Sequence, residues 1–278
     1  MLDILISLLF ATGNAAVLKH GELRKADRLG VMGVNYIFAT LIAGMIWWSD
    51  GHVAPSGFTM IVGAIGGAFY AGALFLWLAA IGRTGIAVAT AALRLGVVWP
   101  ILFSIVFFQE DPTIHQGLGI GLSVMAVLLL SARQPSARRL LEHSAVLLLA
   151  LFVSAGGPGT VLKVFSEMGS KTEHSALLVS AFFSAGIFCW VLILWGGEKP
   201  RTQEWQTGAT FGVGNIMANY FLLRGLSHVP GVVVFPLINN SVLLLVTLIG
   251  VVVWHERPGR LGYGAIVCAG VGSVFISS

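Results

Sequence analysis

Residues 85–112 and 231–258 are one segment written twice. GIAVATAALRLGVVWPILFSIVFFQEDP and GVVVFPLINNSVLLLVTLIGVVVWHERP align at an offset of 146, with Gly85 over Gly231, Glu110 over Glu256 and Pro112 over Pro258. Each copy is a long apolar run closed by a carboxylate and a proline. Other pairs fall at nearly the same spacing. GNAAVLK at 13–19 matches GPGTVLK at 157–163, which sets Lys19 over Lys163, and the pairs Gly63/Gly67 and Gly208/Gly212 recur in the two halves. Such a chain is built from two like halves, and both must bury similar apolar surface.

That surface is covered by lipid. Apolar residues make up 56% of the chain and charged residues only 10%, against roughly 25% charged in soluble domains. So few charges cannot cover 278 residues in water. Ten segments are long and apolar enough to cross a bilayer, where a span takes about 20 residues. They lie near 2–18, 30–49, 59–81, 85–108, 113–132, 144–165, 174–195, 205–227, 230–254 and 260–277. The runs are continuously apolar, so they read as helices rather than as barrel strands, which alternate. The first run has no basic residue before it and is read as a span, not a signal peptide. The longest polar link, near 132–144, divides the chain into 1–132, a linker 133–143, and 144–278. Five spans per half is an odd number, so the halves lie in the membrane in opposite senses. The expected fold is an all-α polytopic membrane protein of ten transmembrane helices in two inverted five-helix repeats, an architecture of secondary transporters.

The net charge of +4 is not a nucleic-acid signature, because the basic residues cluster in short loops. Arg24, Lys25, Arg28, Arg83, Arg133, Arg138, Arg139, Lys199, Arg201, Arg257 and Arg260 all follow odd-numbered spans. The positive-inside rule puts those loops in the cytoplasm and both termini outside. Cys189 and Cys268 stand alone in apolar runs and read as packing residues, and neither a metal site nor a cofactor is expected.

Arg94 is the most informative side chain. It stands nine residues after Gly85 and sixteen before Glu110, roughly 13 and 24 Å from the ends of a straight span. A charge at that depth faces a cavity or a partner. It reads either as a guanidinium that holds a carboxylate or as a structural arginine bonded to backbone carbonyls. Its repeat partner is Asn240, beside Asn239, so an arginine on one side and amides on the other suit an asymmetric solute. No aspartate or glutamate lies mid-span. A cationic drug or choline would call for one, so an anionic or zwitterionic substrate is favoured.

Further polar candidates for substrate contact are Asn14, Tyr36, Tyr70, Asn215 and Asn219, with Asn35 and Tyr220 beside them. Asn215 and Asn219 are four apart and share one helix face. Amides inside spans also serve simply to join helices. Trp77 and Trp99 lie deep and read as stacking platforms or core. Pro100 and Pro236 break the backbone ladder inside the fourth and ninth spans and read as hinges, and Pro158 in GGPGT suggests an irregular sixth span. Glu110 and Glu256 read as gate residues or as solvated span ends. Lys19 and Lys163 read as a gate pair or as interfacial side chains that snorkel.

A first helix with Gly13 and Asn14 that closes on Lys19, a fourth helix ending in Glu110, then Pro112 and a glycine-rich fifth helix (Gly117, Gly119, Gly121) resemble an EamA-type unit. The second half repeats it with Lys163, Glu256, Pro258, Gly262 and Gly264. Nearly the whole chain is similar to a drug/metabolite transporter superfamily member with two EamA units, 1–132 and 144–278. The resemblance implies a multi-pass carrier of a bacterial inner membrane, monomeric or homodimeric. It would move a small organic metabolite, often outward, by alternating access. Such resemblance also implies cytoplasmic termini, against the charge bias. It leaves the substrate open among amino acids, sugars, nucleotide sugars, choline and drugs. With Arg94, export of an amino acid or similar carboxylate is the expectation; a flippase for a lipid-linked sugar and a carrier of cationic drugs are the alternatives. An integral-membrane enzyme is remote, since the seven histidines are scattered and no HExxH or GxSxG motif occurs.

Overall fold

The computed structural model describes residues 1–131, 137–197, 199–255 and 259–277. All regular structure among them is helical: α1 Leu2–Leu23, α2 Arg28–Ser49, α3 Gly57–Thr84, α4 Ile86–Leu95, α5 Val98–Phe108 and α6 Ile114–Ser131 in the first half. The second half holds α7 Ala137–Met168, a 3₁₀ turn Lys171–Glu173, α8 His174–Gly196, α9 Thr202–Leu226, α10 Gly231–Val253 and α11 Arg260–Ser277. Glu256 and Pro258 lie outside the described residues.

Among the described residues eleven helices stand where ten segments were expected, because the fourth is broken. The single helix expected over 85–108 is two, α4 and α5, separated by Gly96 and Val97. Pro100 has no N–H to give the carbonyl of Gly96, and the N–H of Trp99 takes it instead at 3.0 Å. The Gly96 and Val97 N–H groups likewise reach back only three residues, to Leu93 (3.2 Å) and Arg94 (3.4 Å). One tight turn thus replaces the α-ladder. The irregular sixth span expected at Pro158 is not found, since α7 runs unbroken through it, and α10 likewise continues through Pro236. A proline inside a helix removes one bond, and with no water to satisfy freed groups the rest of the ladder is retained. Gly85, at φ +82°, makes the turn between α3 and α4, a backbone that only glycine adopts without strain.

The helices form two compact units, and each draws on both halves of the sequence. One comprises residues 1–71 and 161–228, the other 72–160 and 229–278. In the first unit, small residues set the packing. A Cβ on Gly63 would stand 2.6 Å from Ser180 Cβ and 2.9 Å from the Leu177 carbonyl, so α3 lies directly on α8. A Cβ on Gly208 would stand 2.6 Å from the Val31 carbonyl and one on Gly212 2.7 Å from that of Asn35, so α9 lies directly on α2. The two glycine pairs seen in the sequence are therefore matching close contacts of the repeat. In the second unit, Ala126, Leu243, Ala265 and Ala269 make one core cluster, and Ala80, Val88, Ala89, Leu148 and Leu151 another.

Carboxylates close the helix ends. Glu110 receives the N–H groups of Gly231 and Val232, both at 2.9 Å, and so caps α10. Glu173 receives the N–H and hydroxyl of Ser56, both at 2.8 Å, and the Thr59 hydroxyl, at the start of α3. Glu204 receives the N–H of Asp27 at 2.9 Å and of Arg201 at 2.6 Å, which ties the start of α9 to the start of α2. Each satisfies orphan N–H groups and sits at the positive end of a helix dipole. In this conformation Glu110 is thus a half-buried helix cap rather than a freely solvated span end.

Glu204 is 3% exposed. Burial pushes its carboxyl up, but the N–H groups of Asp27 and Arg201 outweigh that and hold it below the usual carboxylate range. Its contribution to stability is present above the unfolded carboxylate pKa and lost as pH falls through the lowered folded value. Glu204→Ala strands two N–H groups and is expected to cost about 2–3 kcal/mol. That is a fall of roughly 5–10 °C in the unfolding midpoint of the detergent-solubilised protein. Glu204→Gln, which keeps an acceptor oxygen, should lose less. A wild-type midpoint in Glu204→Ala would remove the cap from the account.

Candidate functional site: polar groups inside the spans

The first unit gathers six of the polar side chains singled out in the sequence. Asn35, fully buried on α2, accepts from the Asn215 amide at 3.1 Å. Asn219, one turn on, donates to the Asn215 side-chain oxygen at 2.9 Å, and the Tyr70 hydroxyl donates to Asn219 at 2.6 Å. Asn14 enters from α1. With its amide oriented to satisfy both ends, it accepts from the Asn215 N–H at 3.0 Å and donates to the Phe211 carbonyl at 3.3 Å. Gly214 makes room for it, because a Cβ there would collide with the Asn14 side chain. The rings of Tyr36 and Tyr70 lie 6.3 Å apart, and both pack on Phe182, at 6.2 and 5.7 Å. One polar chain thus runs through α1, α2, α3 and α9. Asn14, Asn35 and Tyr36 are buried, while Asn215, Asn219 and Tyr70 keep some accessible surface. Phe182 was not legible as part of this group, since one phenylalanine among 17 carries no signal.

The second unit holds the rest. Asn240 is 0% exposed and donates to Ser123 Oγ at 2.8 Å, which joins α10 to α6. Sealed in this way, it has no surface to offer a solute in this conformation. Asn239 is half-buried, and its amide nitrogen is buried without a partner among the described residues. Trp77 donates to Thr90 at 3.3 Å and packs on the Ala80–Leu151 cluster, as a core side chain does.

Arg94 behaves differently from all of these. It stands in the last turn of α4 before the break, it is exposed, and among the described residues it has no ion-pair or hydrogen-bond partner. Among the described residues it makes none of the carbonyl bonds that a structural arginine needs. Pro100, past the break, packs against Gly159 of α7 and near Phe235 of α10: a Cβ on Gly159 would stand 3.2 Å from Pro100 and 3.3 Å from Phe235.

The two repeat lysines part company as well. Lys19 is half-buried. Lys163 is 1% exposed and pairs with Glu167 one turn on, so it does not snorkel. A buried charge of this kind stands only with its partner. Among the described residues no three His, Cys, Asp or Glu side chains stand together as metal ligands would.

Eight helices among the described residues are long and apolar enough to cross a membrane, and Ile114–Leu129 is a shorter apolar helix. A crystal structure described only as that of a protein is similar over 99% of this chain and 96% of that one, with TM-score 0.78 and 15% identity. At that identity the likeness is one of fold. No curated protein matches the chain by sequence. The EamA-like transporter family matches it twice, over residues 1–132 and 143–278. The chain belongs to the EamA-like transporter family, as a multi-pass membrane transporter of the drug/metabolite type.

Proposed function

We propose that the protein is a secondary carrier that exports a small carboxylate-bearing metabolite, an amino acid in the first instance, by alternating access, with the Arg94 guanidinium as the carboxylate ligand. The observation that carries this reading is the state of Arg94: a mid-span cation, exposed, with no partner among the described residues. A guanidinium presents a planar fork that matches a carboxylate in two parallel hydrogen bonds. An uncompensated charge inside a span is costly, and a ligand that brings the opposite charge offsets that cost only while bound. The lack of any mid-span acid speaks against a cationic cargo. The tight turn after Arg94 supports movement, because α4 and α5 are joined there without a continuous ladder.

A stabilisation screen of the purified protein tests the reading. Amino acids and organic acids are expected to raise the unfolding midpoint, by about 2.7 kcal/mol of stability at 100 times Kd. Sugars and amines without a carboxyl should not. A rise with amines alone would reverse the assignment.

A further inference from the structure

We infer that the first compact unit carries a binding site for a small zwitterion, in the cavity where α2 ends, α8 begins and α9 ends. This site goes beyond the Arg94 reading and does not depend on it, since Arg94 belongs to the other unit. The cavity measures about 340 Å³ and is lined by Asp50, Lys171, His174, Tyr220 and Arg224, with hydroxyls and His228 around them. It is large enough for an amino acid or a lipid headgroup.

Three observations point to a ligand with both signs of charge. First, Asp50 and Lys171 are exposed, line the same cavity, and neither side chain has a hydrogen-bond or ion-pair partner among the described residues, not even the other. Opposite charges left open across one cavity match a molecule that carries an ammonium and an oxyanion a few atoms apart. Second, helix stability does not explain where they stand. Asp50 is the C-cap of α2, and Lys171 begins the turn that leads into α8. An acid at a helix C-terminus and a base ahead of an N-terminus both oppose the helix dipole. Third, His174 is 7% exposed and its Nε2 is buried with no partner. Buried polar atoms are almost always bonded, and the His174 side chain lines this cavity, so a ligand group that enters beside the ring would complete the bond. Arg224 is already held by Asp3, at 3.5 Å, and by the Tyr220 ring, 5.8 Å away, so it borders the site as a fixed charge. Lys171 is then the free cation for the oxyanion and Asp50 the acceptor for the ammonium.

One chemistry, ammonium with oxyanion, has two sources: a free amino acid or the headgroup of an ethanolamine phospholipid. Titration calorimetry on the full-length Arg94→Ala protein in detergent, which has lost the carboxylate ligand of the other unit, separates them, with L-alanine, dihexanoyl phosphatidylethanolamine, propionate and propylamine as probes. The zwitterion that belongs here is expected to bind at least tenfold more tightly than propionate or propylamine. Asp50→Asn and Lys171→Gln, both at exposed positions that leave the packing intact, should each weaken it at least tenfold, and His174→Ala should weaken it severalfold. Preference for alanine assigns a solute; preference for the short-chain lipid assigns a headgroup. With Arg94 removed from every titration, binding at this cavity is read without the carboxylate site of the other unit, so the two readings fail separately. Affinities within twofold of the Arg94→Ala parent in both charge variants, or single-charge probes that bind as well as the zwitterions, would overturn the inference.

Discussion

Arg94→Ala is expected to reduce carboxylate flux into proteoliposomes by about 100-fold and to erase the stabilisation given by carboxylate ligands. A hydrogen bond to a charged group contributes about 1.5–3 kcal/mol, and 2.8 kcal/mol is a factor of about 100 in affinity. The ligand-free protein should unfold at the wild-type temperature or slightly above it. Arg94 makes no bond to another described residue, so truncation strands nothing and removes an uncompensated charge. That pairing of lost function with retained stability separates a ligand-binding arginine from a structural one, whose loss would lower both. Arg94→Lys keeps the charge but not the planar fork, and is expected to retain about a tenth of the affinity. Unchanged carboxylate flux in Arg94→Ala would end the substrate assignment.

Much of the scaffold was legible because periodic, local signals write it. The apolar runs set the spans, and Gly63/Gly67 and Gly208/Gly212 mark contacts because only residues without a side chain let backbones come so close. The depth of Arg94 needed nothing but residue counting. What the sequence hides depends on partners far along the chain. Glu110 looks like any acid at the end of a span, yet the N–H groups it caps are 121 and 122 residues away. Glu204 caps Asp27 across 177 residues. Asn239 and Asn240 are identical in type and adjacent, but a helix turns about 100° between them, and only Asn240 meets Ser123. Lys163 was readable in part: Glu167 is at i+4, the spacing of a helical ion pair, but nothing in the sequence says that the lysine of the pair is buried. The prolines show the same limit. Pro100, Pro158 and Pro236 each remove one bond, and only at Pro100 does the helix end. There Gly96 stands directly on α7, so packing holds the broken turn in place. The zwitterion cavity draws on residues from 50 to 228 and left no local mark.

That packing gives the second large effect. Gly156→Ala is expected to destabilise the protein by about 3 kcal/mol and to abolish transport. A Cβ on Gly156 would collide with the Gly96 carbonyl and stand 2.5 Å from Trp99 Cβ. A Cβ on Gly96 would in turn stand 2.7 Å from Ala155 Cβ and 2.9 Å from the Gly156 nitrogen. Both neighbours are backbone or near-backbone atoms, which cannot rotate away, so the turn after Arg94 must shift off α7. Overpacking of this kind costs about 1–3 kcal/mol, and here the displaced segment also aims Arg94. Gly44 and Gly82 are the controls. Both are helical and have nothing within 4 Å of a Cβ, so Gly→Ala there should be neutral or stabilising by up to about 1 kcal/mol. Because Gly96 and Gly156 face each other, the double alanine variant should lose less than the sum of the singles, since the first substitution already opens the contact. Additive losses, or a Gly156→Ala protein as stable as Gly44→Ala, would mean that the turn does not rest on α7 at all.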